Sequence, residues 1–198
     1  FYDELTHLPN RRLLIERLEQ ALAQCGRSAS HGALLYLDLD HFKDVNDTLG
    51  HEWGDELLRQ AGIRLCQCVR TTDTVARLGG DEFVVVLQGL DAQAAEAAMQ
   101  AEAVAQKILM QLNVPYALTG AELHCPPSIG IALFQDAQLS VLELLQRADM
   151  AMYQAKAQGR NAMSFFDPAM QAQASARAAL EADVRKGLER MEFCLDRK

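Results

Sequence analysis

Apolar positions in this chain recur with two periods, and the alternation between them outlines the fold. Leu14, Leu18 and Leu22 stand one helical turn apart, so the spacing predicts a helix over 10–25. A Ser/Gly-rich loop is expected over 26–32. The run 33–39 is apolar and short, and it closes on Asp38-Leu39-Asp40, which reads as a buried strand whose tip meets solvent. Two helical turns over 42–48 are closed by Gly50, and Leu58, Ala61, Leu65 and Cys68 mark a longer helix over 52–69. The β-branched runs 74–78 and 82–87 flank Gly79-Gly80, a hairpin signal. Asp91 is expected to cap an Ala-rich helix reaching Leu112. A small hairpin over 114–124 is expected to turn at Thr119-Gly120. A strand over 128–134, a helix over 140–157, a stop at Gly159 and a last strand over 162–166 complete the pattern.

Hairpin-connected strands mixed with helices predict an α+β layer fold rather than a doubly wound sheet. Asp167-Pro168 is the one boundary, dividing a domain at 1–168 from a polar helical segment at 169–198. In that segment Leu180, Val184, Leu188 and Met191 form an apolar stripe. The composition is that of an ordinary globular domain, 49% hydrophobic and 23% charged, with a formal net charge of −8. That acidity argues against a partner with a duplex nucleic-acid backbone. No apolar run reaches membrane-spanning length, so no membrane contact is expected, and the N-terminus lacks signal-peptide features. Cys25, Cys66, Cys68, Cys125 and Cys194 are odd in number and form no C-x-x-C pair. They read as the thiols of a cytoplasmic protein, with Cys66 and Cys68 packing as small hydrophobes.

The candidate chemistry is acidic. Asp38 and Asp40 share a face at one strand tip, and Asp81 and Glu82 follow the glycine turn. Were the two strands neighbours, their carboxylates would gather at one sheet edge. Unit charges about 4 Å apart repel by roughly 4 kcal/mol at an effective dielectric of 20, so such a cluster calls for a counter-charge, and Mg²⁺ suits carboxylate oxygen. The other reading, solvated strand-end acids that never meet, stands beside it. Gly79-Gly80 is open to two readings, a hairpin that needs positive φ and a turn that lets phosphate approach the backbone. There is no phosphate-loop or dinucleotide fingerprint and no H-E-x-x-H.

The run Arg77-Leu78-Gly79-Gly80-Asp81-Glu82-Phe83 resembles the signature of GGDEF-type diguanylate cyclases. The likeness extends to Asp3-Glu4-Leu5-Thr6-His7-Leu8-Pro9-Asn10, to Asp38-Leu39-Asp40-His41-Phe42-Lys43 with Asn46, Gly50-His51 and Gly54-Asp55, and to Ser128-Ile129-Gly130. It ends with Ala148-Asp149 through Tyr153, Lys156 and Gly159-Arg160-Asn161, so that it covers residues 1–166. It implies a central, mostly antiparallel five-stranded sheet flanked by helices, like that of adenylyl cyclases and polymerase palms. It also implies condensation of two GTP molecules into cyclic di-GMP with release of two pyrophosphates.

By that resemblance, Asp38, the Leu39 carbonyl, Asp81 and Glu82 would hold two Mg²⁺ or Mn²⁺ ions per site. Asp81 and Glu82 would be the catalytic pair, with Glu82 a metal ligand or an aid to deprotonation. A metal-bound carboxylate is a poor base, which favours the ligand role. Asp40 would support the site without touching metal. Asn46 and Asp55 would read guanine, since a carboxylate accepts from the ring N–H and amino group that adenine does not present together. Lys43, Lys156, Arg160 and the backbone N–H groups of His41 and Phe42 would bind phosphates. Arg70 and Asp73 fall where the family carries an R-x-x-D site for inhibition by cyclic di-GMP.

Catalysis would need a homodimer, because each copy presents one GTP. The tail around Leu180-Glu181, Val184-Arg185 and Gly187-Leu188 resembles the linker into an EAL-type phosphodiesterase domain, so fusion to sensory and EAL-type domains is expected. The alternative to an active cyclase is a catalytically silent module that binds GTP or cyclic di-GMP and regulates a phosphodiesterase.

Overall fold

A computed structural model describes residues 1–118, 121–135 and 139–169, with Ala172, Ala176 and Leu180 beyond them. The helices are α1 (Arg11–Ser28), α2 (Phe42–Leu49), α3 (His51–Cys68), α4 (Ala94–Asn113) and α5 (Val141–Ala157). The strands are β1 (His31–Leu39), β2 (Thr74–Gly79), β3 (Glu82–Leu90), β4 (Tyr116–Leu118), β5 (Ala121–Leu123), β6 (Pro127–Phe134) and β7 (Met163–Phe165). Five of them form one sheet in the order β2-β3-β1-β6-β7, and β4-β5 is a separate ribbon. All pairings in the main sheet are antiparallel except β6 with β7. This is the α+β architecture that the alternation of periods predicts.

β1 is central because it is apolar on both faces, and a continuous run of that kind is stable only with both faces covered. Leu35, Leu37 and Leu39, with Phe83, Val85, Leu87, Ile129 and Ile131, pack beneath α3 and α4. Leu34, Tyr36, Val84, Val86 and Ala132 pack against Leu14, Leu18 and Leu22 of α1 and Leu144, Ala148 and Met152 of α5. The result is three layers with the sheet in the middle. The approach of α5 is unusually close: a Cβ on Gly130 would lie 1.9 Å from the Ala148 carbonyl oxygen and 2.2 Å from the Met152 nitrogen.

Several expectations are corrected. The segment 26–32 is not a loop: α1 runs on to Ser28, whose hydroxyl donates to the Gln24 carbonyl, and ends at Ala29 in a left-handed conformation. β1 then begins at His31. Asp91 does not cap α4. Gln93 precedes the helix, and the Asp91 carboxylate accepts from the Gln93 N–H in a local turn before it. Cys66 is exposed rather than packed, while Cys68 is buried. The Thr119-Gly120 turn, Cys194 and, apart from Ala169, Ala172, Ala176 and Leu180, the segment 169–198 lie outside the described residues. No helix among the described residues is long and apolar enough to cross a membrane.

Candidate active site

Pairing of β1 with β3 brings the strand-tip acids together. Asp38 lies directly opposite Glu82 in the register, and the Leu39 N–H donates to the Asp81 carbonyl at 3.3 Å. Directly opposed residues of an antiparallel pair share a face, so Asp38 and Glu82 continue the face of Tyr36 that looks toward α1 and α5. Burial and the neighbouring Glu82 carboxylate push the Tyr36 hydroxyl upward. α5 brings a cation to this edge: Lys156 Nζ lies 2.7 Å from Asp38 Oδ1, with both side chains half-buried. Burial raises the Asp38 carboxyl above its ordinary range. Lys156 opposes that shift, and Asp81 and Asp40 add to it.

The glycine turn is held from outside the hairpin. Gly79 and Gly80 take φ of 145° and 52°, conformations that L side chains resist. Arg77 donates from Nε and one terminal nitrogen to the Gly80 carbonyl at 3.1 and 2.7 Å. Its other terminal nitrogen grips both Asp3 carboxylate oxygens at 2.9 and 3.0 Å. Asp3 in turn accepts from the Thr6 N–H and hydroxyl. The opening motif therefore braces the turn that carries Asp81.

Asp40 is only 2% exposed and makes no approach to solvent. Its carboxylate accepts from the Ser128 hydroxyl and the Asn161 N–H, both at 2.8 Å, while its carbonyl accepts from the Cys125 thiol. Burial and the field of Asp40, Asp81 and Asp38 push that thiol up to about 12, so it stays protonated.

Asn46 and Asp55 lie apart from these acids, at the corner where α2 meets α3. Gly50, at φ 97°, makes the corner. Gly54, beside Asp55, packs so tightly on Asn46 that an added Cβ would sit 1.9 Å from its Oδ1. Among the described residues this Oδ1 is one of two buried side-chain polar atoms without a hydrogen-bond partner. Asp55 and Lys43 are exposed, as is Arg160, which follows α5. His41 precedes α2 at φ 62°, its ring beside Asp44, so the first-turn N–H groups of Phe42 and Lys43 head the helix, where no intrahelical acceptor exists.

Arg70 and Asp73 lie just before the far end of β2, Asp73 standing six residues or roughly 20 Å along the strand from Gly79. Asp73 accepts from the Arg70 and Gln88 N–H groups, and both residues border a cavity of about 320 Å³ whose other walls include Gln100 and Lys107.

One known family, described as "Diguanylate cyclase, GGDEF domain", matches the chain over residues 1–162. The chain belongs to the GGDEF family. Among its relatives is the bifunctional diguanylate cyclase/cyclic di-GMP phosphodiesterase MucR of Pseudomonas aeruginosa, 43% identical over 98% of this chain and 27% of MucR. The cyclic di-GMP phosphodiesterase NbdA of the same organism is 36% identical over 94% of this chain and 23% of its own length. The solved GGDEF domain of TpbB (YfiN), also from Pseudomonas aeruginosa, superposes with a TM-score of 0.76 at 37% identity, covering 87% of this chain and 98% of that one. The chain spans about a quarter of the length of MucR and NbdA.

The donor set of this GGDEF domain fits a hard divalent cation. Among the described residues no three acid, His or Cys side chains enclose an ion by themselves. Mg²⁺ characteristically takes one or two carboxylates and completes its shell with water and substrate phosphates. Asp38, raised first by burial and further by the neighbouring Asp81 and Asp40 carboxylates, with Lys156 as its ion-pair partner, is an edge that such a cation would neutralise.

The brace on the glycine turn and the grip on Asp40 escape sequence reasoning. Arg77 and Asp3 are both within quoted motifs, but nothing in their spacing pairs residues 74 positions apart. Asn113, which bonds to Asn161, carries no signal at all.

Proposed function

We propose that this domain is a diguanylate cyclase, condensing two GTP molecules into cyclic di-GMP and two pyrophosphates across a homodimer. The observation that carries this reading is the convergence of Asp38, Asp81 and Glu82 at one sheet edge beneath Lys156. Asp38, Asp81, Glu82 and the Leu39 carbonyl would hold Mg²⁺ or Mn²⁺, two per site. When bound, the ions offset triphosphate charge and favour loss of a proton from the attacking hydroxyl.

The chain's own residues do the rest. The Arg77 brace fixes where Asp81 stands, so the carboxylate needs no reorganisation as charge develops. Lys156 and Arg160, with Lys43 and the N–H groups of His41 and Phe42, hold the phosphates in line for displacement. Asn46 and Asp55 select guanine. With adenine, Asp55 would face no pair of donors and lose its hydrogen bonds. In each step a 3′-hydroxyl oxygen of one GTP bonds to the α-phosphorus of the other. The bond to pyrophosphate breaks and the hydroxyl proton is released. Two such steps close the ring, so a facing copy is required. Product returning to the cavity beside Arg70 and Asp73 would inhibit.

The purified chain, fused to a dimerising helix, is incubated with GTP and Mg²⁺, and cyclic di-GMP is measured. Asp81→Asn is expected to lower turnover at least a hundredfold. A wild-type chain that binds GTP but yields no product, even as an enforced dimer, would sink the cyclase reading. The second reading, a silent nucleotide-binding regulator of a phosphodiesterase, would then stand. It is favoured by relatives such as NbdA that are named as phosphodiesterases.

A further inference from the structure

We propose that Asp40 and Asn113 are positioning residues, a two-sided clamp that holds the turn Gly159-Arg160-Asn161 in the shape that presents Lys156 and Arg160 to nucleotide phosphates. The proposal rests on the reading of that turn as the phosphate-binding end of α5.

Three successive residues of the turn have left-handed backbones, with φ of 121° at Gly159, 64° at Arg160 and 46° at Asn161. Two of the three are not glycine, and such a conformation persists only where its surroundings impose it. Within the turn, Gly159 donates to the Lys156 carbonyl and Arg160 to the Ala155 carbonyl, at 3.3 and 3.2 Å. The shorter bonds come from outside. Asp40, 121 residues away, accepts from the Asn161 N–H at 2.8 Å, and its second oxygen is tied to Ser128.

On the other side, the Asn113 and Asn161 side chains form a reciprocal amide pair at 2.7 and 3.0 Å. Asn113 also donates to the Leu109 carbonyl at 2.7 Å, which anchors it to the end of α4. The turn is thus gripped by the tip of β1 from beneath and by α4 from the side. Because Asp40 is two residues beyond Asp38, the same clamp ties the acid-bearing strand tip to the cation-bearing turn. The two halves of the site keep a fixed spacing.

Two measurements test this. In the free protein, hydrogen exchange at the Asn161 amide is expected to quicken at least tenfold in Asp40→Asn and several-fold in Asn113→Ala. In binding experiments with a non-hydrolysable GTP analogue and Mg²⁺, Asn113→Ala is expected to weaken affinity about fivefold while leaving the preference for guanine over adenine intact. Its effect is expected to shrink once Arg160→Ala is already present, leaving only what is lost through Lys156. Asn113 is half-exposed at a helix end, so its variant keeps the test usable should Asp40→Asn fail to fold.

Unchanged Asn161 exchange in Asn113→Ala, or losses that simply add in the double variant, overturns the clamp. Wild-type affinity in Arg160→Ala overturns instead the phosphate reading on which the clamp's purpose depends, and the exchange result then decides the clamp alone.

Discussion

Gly54→Ala separates guanine reading from folding. Gly54 lies in the first turn of α3, and a Cβ there would sit 1.9 Å from Asn46 Oδ1 and 3.1 Å from the Phe42 ring. Relief to ordinary contact requires the Asn46 amide to move by about 1.5 Å, three times the roughly 0.5 Å tolerance of a productive site. A displaced amide forfeits its hydrogen bonding to the base, worth about 1–1.5 kcal/mol, or close to tenfold in affinity. Folding is affected differently. Ala gains up to about 1 kcal/mol over Gly within a helix, which offsets the crowding against a side chain able to swing away. The expected result is a GTP-analogue affinity lowered about tenfold by calorimetry, with ATP affinity unaltered and a melting temperature within a few degrees of wild type. Unaltered GTP affinity would show that Asn46 does not read the base. Equal losses for both nucleotides would show that the α2–α3 corner serves the phosphates instead.

Gly130→Ala is expected to destabilise by about 3 kcal/mol in denaturant unfolding, because the atoms it meets are α5 backbone and have nowhere to go. A loss under about 1 kcal/mol would contradict that packing. Asp3→Asn tests the brace. Burial opposes ionisation of Asp3, but the Thr6 hydrogen bonds and Arg77 outweigh it and hold the carboxyl below its ordinary value. A carboxyl depressed in the folded state stabilises above its unfolded value and loses that contribution as pH falls through the folded one. The variant is therefore expected to be less stable by about 1–2 kcal/mol at neutral pH. The gap to wild type closes in acid, and a gap independent of pH would refute the assignment. Arg70→Ala is expected to weaken inhibition by added cyclic di-GMP at least tenfold. Inhibition that persists unaltered would remove the second site.

The strands were legible because burial leaves a mark in sequence: the apolar run of β1 reads as a buried strand and the Gly79-Gly80 pair as a hairpin signal, while the central place of β1 comes from the structure. The meeting of Asp38 with Glu82 followed once β1 and β3 were neighbours, although adjacency itself had to come from the structure. Local competition hid other features. The composition of 26–32 reads as loop, yet Ser28 bonds back to Gln24 and Arg27 complements the helix end, so α1 gains another turn. Asp91 offers the right residue type for a cap, but it closes a turn of its own two residues early. Partnerships across long sequence separations, Asp3 with Arg77 and Asn113 with Asn161, leave no periodic trace. They depend on where tertiary packing delivers two short polar side chains.

The seat of α5 on Gly130 has an architectural implication. Where main chain rests directly on main chain, the separation between strand and helix is fixed by van der Waals contact of backbone atoms rather than by the bulk of interchangeable side chains. Substitutions elsewhere in that layer can thus accumulate without altering the spacing of strand and helix, whereas the α2–α3 corner, where Gly54 meets the Asn46 side chain, can yield by a side-chain rotation.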